Sequence, residues 1–167
     1  MTPSVWALSL TYWLHMLATV VWIGGLATLI LLVLPAGRKA LDAEAYASLL
    51  GAIQRRLDPL GWICLLVLAG TGMFQMSASP NYQGFLEIGN RWAAAILIKH
   101  LVFLVMVLVS GYITWVLLPR LQRLALLQAR GQPADAGSLV RQEANLLRLN
   151  LILGMIVLAL TAVARAS

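Results

Sequence analysis

The chain has 167 residues, of which 61% are apolar and 11% charged, where soluble domains carry roughly 25% charged residues. That composition excludes an ordinary soluble domain. The net charge of +6 would suit a nucleic-acid partner, but the placement of the basic residues excludes that reading.

The apolar residues fall in four long runs, Trp6 to Leu34, Leu60 to Met76, Trp92 to Leu118 and Leu149 to Ala164. A helix rising about 1.5 Å per residue needs about 20 apolar residues to cross a bilayer core of about 30 Å. The runs therefore predict an all-α membrane protein, a four-transmembrane-helix up-down bundle forming one domain over residues 1–167. The helices are expected at about 6–34, 59–77, 92–118 and 146–165, with loops 36–58 and 119–145 on one side. The first run is too long, and lacks the basic flank, for a cleaved signal peptide.

Of the 12 basic residues, Arg38, Lys39, Arg55, Arg56, Arg120, Arg123, Arg130, Arg141 and Arg148 lie in loops one and three. By the positive-inside bias those loops are cytoplasmic, so both termini lie outside. The expected location is the inner (plasma) membrane, with lipid as the surroundings and no nucleic acid. Cys64 is the single cysteine, so it can form no internal disulfide.

Loop one carries Tyr46, Leu49, Leu50, Ile53 and Leu57 at helical spacing. This predicts an amphipathic helix at the inner interface or leading into the second span. Asp58-Pro59 reads as the start of that span, an acidic N-cap followed by proline at the first helical position. Helix three is expected to continue past Pro119 to about Arg130. Gly131 to Gly137 reads as a break, with Ser138 capping a helix that runs into the fourth span.

The two halves resemble each other. His15 precedes Pro35 by twenty residues and Arg56-Leu57-Asp58 follows. His100 precedes Pro119 by nineteen and Arg148-Leu149-Asn150 follows. This predicts two hairpins related as a parallel repeat.

His15 and His100 are the only histidines. Counted outward from the prolines they lie about 30 and about 28 Å away along helices one and three, hence at matched depth. Ionisable groups inside a membrane are functional candidates, and helices one and three face each other diagonally in an up-down bundle. Two imidazoles so placed suit the axial positions of a haem b. Lys99 lies beside His100 in a span without acidic residues, and Arg91 lies on the outer loop. Both are candidate partners for haem propionates, with snorkelling as the alternative for Lys99. Gly24, Gly25, Gly70 and Gly72, with Trp13, Trp22, Phe74 and Phe103, would flank a flat macrocycle, or simply serve helix packing. A competing constellation adds Met73 and Met76 on helix two to the histidines. Thioether and imidazole together suit copper, Cu(I) in particular.

The segments Trp13-Leu14-His15, Trp22-Ile23-Gly24-Gly25, Arg56-Leu57-Asp58 and Ile98-Lys99-His100 resemble the CopD-like (copper-resistance D) membrane family, and are similar to HemJ-like protoporphyrinogen oxidases. The CopD resemblance implies a role in copper uptake or homeostasis. The HemJ resemblance implies haem ligation by His15 and a functional lysine, for which Lys99 is the candidate.

The leading expectation is a b-type cytochrome-like electron-transfer protein, with haem held between helices one and three by His15 and His100. Its partner would be a redox protein or a larger membrane complex. The alternatives are a copper transport or homeostasis protein using His15, His100, Met73 and Met76, and a structural subunit of a larger redox complex. A homo-oligomer is open. No catalytic base or nucleophile stands out, so an electron-transfer or transport role is expected rather than a stand-alone enzyme.

The topology has a direct check. In a Cys64→Ala background, a cysteine placed at Gly84 should react with an impermeant thiol reagent in intact cells, and one at Gly131 should not. The opposite pattern would reverse the orientation.

Overall fold

In a computed structural model of the chain, residues 4–82, 84, 89–130 and 137–166 are described. They form six α-helices: α1 (Val5–Thr28), α2 (Leu34–Ala40), α3 (Ala43–Ser77), α4 (Arg91–Tyr112), α5 (Leu118–Ala129) and α6 (Gly137–Ala166). Four continuous helical stretches are long and apolar enough to cross a membrane: Val5–Ala40, Ser48–Ser77, Arg91–Leu124 and Gly137–Ala166. No strand occurs among the described residues. The expected break at Gly131 to Gly137 lies outside the described residues as far as 136, and α6 begins at Gly137 rather than after a Ser138 cap.

The caps explain where the helices begin. The side chains of Ser4, Asp42 and Asn90 accept hydrogen bonds from the backbone N–H groups of Ala7, Ala45 and Ala93, which satisfies donors left open at a helix start. Asp58-Pro59 is not a start. The amphipathic segment of loop one and the second span are one helix, α3, with Pro59 inside it and Asp42 as its cap. Asp58 turns sideways instead, as described below.

Spans one and three share a second device. Between α1 and α2, residues Leu29–Val33 form a π turn, and between α4 and α5, Ile113–Leu117 form another. Each π turn leads directly into Leu-Pro, at Leu34-Pro35 and Leu118-Pro119. In each, the leucine N–H reaches back five residues, to Leu29 O and to Ile113 O. Proline lacks an N–H, and its ring crowds the carbonyl four residues earlier. A widened turn before it accommodates the ring without ending the helix. The two hairpins thus repeat at the level of local geometry: helix, π turn, Leu-Pro, short helix.

α1 packs along α3 and α4 packs along α6. The hairpins meet where α1 lies against α6, and the first π turn also touches α6. α1 and α4 are therefore diagonal. A buried apolar cluster of Leu26, Leu29, Ile30, Leu34, Tyr46, Leu50 and Ala144 fills the end that carries the basic loops, here the basic end. Much apolar surface faces outward, including Leu31, Leu66, Leu108 and Trp115, as a lipid-facing surface requires. One close approach sets the pairing of α1 with α3. Trp22 lies flat over Gly61, where any Cβ would collide with the indole ring.

Gly61→Ala should therefore destabilise the bundle by about 1–3 kcal/mol, seen as a lower thermal midpoint in detergent. Trp22→Leu should relieve most of that loss, because the two residues share one contact. An unchanged midpoint for Gly61→Ala would refute the packing argument.

Candidate functional site

His15 lies on α1 near the end that carries the chain termini, here the terminal end. Its Nδ1 is 2.7 Å from Thr71 Oγ1 on α3. The Thr71 hydroxyl donates its own proton to Val67 O, so it accepts from the imidazole. Nδ1 therefore carries the proton and the lone pair sits on Nε2. The side chain has room because the neighbour of Thr71 is Gly72, whose Cβ position is 3.5 Å from His15 Cε1. One turn further, Gln75 Nε2 donates to Thr11 O at 3.1 Å, which pins the ends of α1 and α3 together around the ring.

His100, on α4, has its Nδ1 2.7 Å from Ile96 O. A carbonyl only accepts, so here too Nδ1 holds the proton. Both imidazoles are thus oriented from Nδ1, as metal-ligating imidazoles usually are.

The terminal end is cationic. His15 feels the charge of Lys99 on α4, and Lys99 that of Arg165 on α6. The Arg165 guanidinium sits over the Tyr12 ring, 4.6 Å from its centroid. Residues from all four spans therefore converge: Tyr12 and His15, Thr71, Lys99, and Arg165. The other sequence candidates are spread out. Arg91 is exposed at the first position of α4. Met76 is buried at 6% exposure, but Met73 is 47% exposed, on the outward side of α3. Of the two methionines only Met76 is turned inward. Trp13 and Phe74 are exposed, and Trp22 lies toward the basic end. Gly24 and Gly70 touch nothing that a Cβ would meet, so only Gly72 of the singled-out glycines serves the histidine.

The sequence reading passed over Thr71, Gln75, Tyr12 and Arg165. Thr71 and Gln75 carried a signal: polar residues four apart in an apolar run share one helix face. No group of three or more His, Cys, Asp or Glu residues able to hold a metal occurs among the described residues. Any soft-metal site here would rest on imidazole and thioether donors.

A second polar centre lies toward the basic end. Thr114, in the second π turn, donates to Asp58 Oδ1 on α3. Trp62 Nε1 donates to Thr114 Oγ1 at 3.2 Å, and the Trp62 and Trp115 rings stack with centroids 4.9 Å apart. On the other side, Asn150 of α6 donates to Ser110 Oγ at 2.8 Å. Asp58 and Asn150 are the repeat-equivalent residues of the two hairpins, and both border one cavity of about 70 Å³.

In comparison with known proteins, the family model for copper resistance protein D (CopD) matches residues 51–164. That stretch contains Asp58, Thr71, Lys99, His100 and Asn150, while His15 precedes it. No curated protein and no solved structure matches.

The tautomer assignment is open to measurement. In protein carrying ¹⁵N-labelled histidine, both side chains should show a protonated Nδ1 and an unprotonated Nε2 at neutral pH. Thr71→Val should alter the His15 signals and leave those of His100. Loss of neither pattern in the variant would mean that the Thr71 contact does not set the tautomer.

Proposed function

The chain belongs to the copper resistance protein D family, and from that membership we propose that it is a copper-handling protein of the inner membrane, with His15 as the principal ligand near the outer face. The observation that carries this reading is the His15–Thr71 hydrogen bond, which leaves the Nε2 lone pair as the donor. The buried Met76, on the same helix as Thr71, offers a thioether. Cu(I) is favoured over Cu(II) on two grounds. Soft thioether and imidazole donors suit it, and the positive charges of Lys99 and Arg165 repel a divalent ion twice as strongly as a monovalent one. Copper is cargo in this reading.

The haem reading retains one supporting observation. Lys99 and Arg165 would complement the propionates of a bound haem. Against it, the His15 ring is held against α3 by Thr71 and Gly72, whereas a bis-histidine haem needs it directed toward α4. The family membership also favours copper.

One experiment separates the two. Protein purified from cells supplied with copper and able to make haem is analysed for metal and by pyridine haemochrome extraction. Copper without haem, lost in His15→Ala, is the expected result. Haem without copper would overturn the copper reading. Thr71→Val should weaken copper binding by roughly 10–100-fold, the usual cost of losing a partner that orients a ligand.

A further inference from the structure

Three buried side-chain atoms among the described residues have no hydrogen-bond partner: Trp22 Nε1, Asn150 Oδ1 and Glu143 Oε1. They are not scattered. Trp22 and Asn150 border the cavity of about 70 Å³ that also meets Asp58. Glu143 borders a smaller one, of about 10 Å³, nearer the basic end. Leu29, Gln54 and Leu147 line both cavities, so the two adjoin. Asn150 is 1% exposed and Glu143 5%, which removes bulk solvent as the partner for either. A buried polar group without a partner has lost its hydration with nothing in return.

The unmet needs are complementary. Trp22 offers a donor, and Asn150 and Glu143 offer acceptors. A metal or alkali cation would satisfy the oxygens but not the indole N–H. Water satisfies both, accepting from one group and donating to the next. The larger cavity has room for more than one molecule, since a water needs about 10–15 Å³ by this measure. The smaller has room for about one.

We propose that these cavities form a water-filled vestibule that carries protons from the basic end to the half-buried Asp58 carboxylate, which borders the larger cavity. The ligand class is water and the proton. A hydronium in the vestibule gives its proton to the carboxylate and remains as water, and the reverse step returns it. The charged and titratable groups bordering the path are Asp58 on α3, Arg38 on α2, Tyr46 on α3 and Glu143 on α6. α1 contributes the Trp22 indole, and span three contributes only the hydroxyls of Ser110 and Thr114. Arg38 Nε donates to the Tyr46 hydroxyl at 3.3 Å, so the guanidinium stands at the mouth beside Glu143. The oxygen-rich path is a poor route for Cu(I), which separates it from the histidine centre at the other end.

Infrared difference spectroscopy of the purified protein in lipid vesicles, between acidic and alkaline buffer, tests this. The wild type should show a protonated-carboxyl band that Asp58→Asn lacks. That band should shift within minutes of transfer to D₂O, because water reaches the group. Asn150→Leu keeps Asp58 but fills the path with an apolar side chain, and should slow the D₂O shift at least tenfold. It decides the matter even if Asp58→Asn does not fold. An Asp58 band that is inert to D₂O, or a shift equally fast in Asn150→Leu, would overturn the proposal. Neither readout depends on copper, so the two functional readings stand or fall separately.

Discussion

The hydrogen bond from Thr114 to Asp58 ties the two hairpins at the place where their backbones do not pack closely. α1 meets α6, but no comparably close packing joins α3 to α4. The link there is made by side chains: the carboxylate accepting from Thr114, the Trp62 indole donating to the same hydroxyl, and Trp62 stacked on Trp115. A carboxylate inside a membrane protein persists only where polar partners meet it. Placing Asp58 here therefore calls for a polar lining on the second hairpin, and Ser110, Thr114 and Asn150 supply it.

From this constraint follows a division of the molecule into two centres. At the terminal end the polar atoms are nitrogen-rich and cationic, with His15, His100, Lys99 and Arg165. Toward the basic end they are oxygen-rich, with Asp58, Asn150, Glu143 and the hydroxyls. Between them lie buried apolar side chains such as Cys64 and Met106. Nitrogen donors and oxygen groups are thereby kept apart along one axis.

Much of this was legible in the residues. Four apolar runs implied four spans, because length and hydropathy alone set the crossing of a bilayer. The histidines and Lys99 stood out because ionisable groups are costly in lipid. What was not legible depended on phase around the helix axis. Asp58-Pro59 has the composition of a helix start, yet Asp42 caps the helix sixteen residues earlier, and tertiary contact with Thr114 claims the carboxylate. Met73 and Met76 look paired in sequence, but the face that Thr71 and Gln75 turn toward α1 leaves Met73 outside. Trp22 was grouped with the histidine, although seven residues of helix separate them by about 10 Å along the axis, and it belongs to the other centre.

The two π turns carry a consequence for how this architecture can change. Such a turn holds one residue more than the α-helical path would use, so it stores a phase offset of about 100° between the segments it joins. Deleting a single residue from Leu29–Val33 would let the helix close up. It would then swing His15 about a quarter turn around α1 relative to α2, away from Thr71, without altering any residue near either. The orientation of the imidazole is thus recorded four turns away, as a length. Substitution beside His15 and insertion or deletion at the proline are separate routes to the same geometric variable, and a lineage could retune this site by slippage alone.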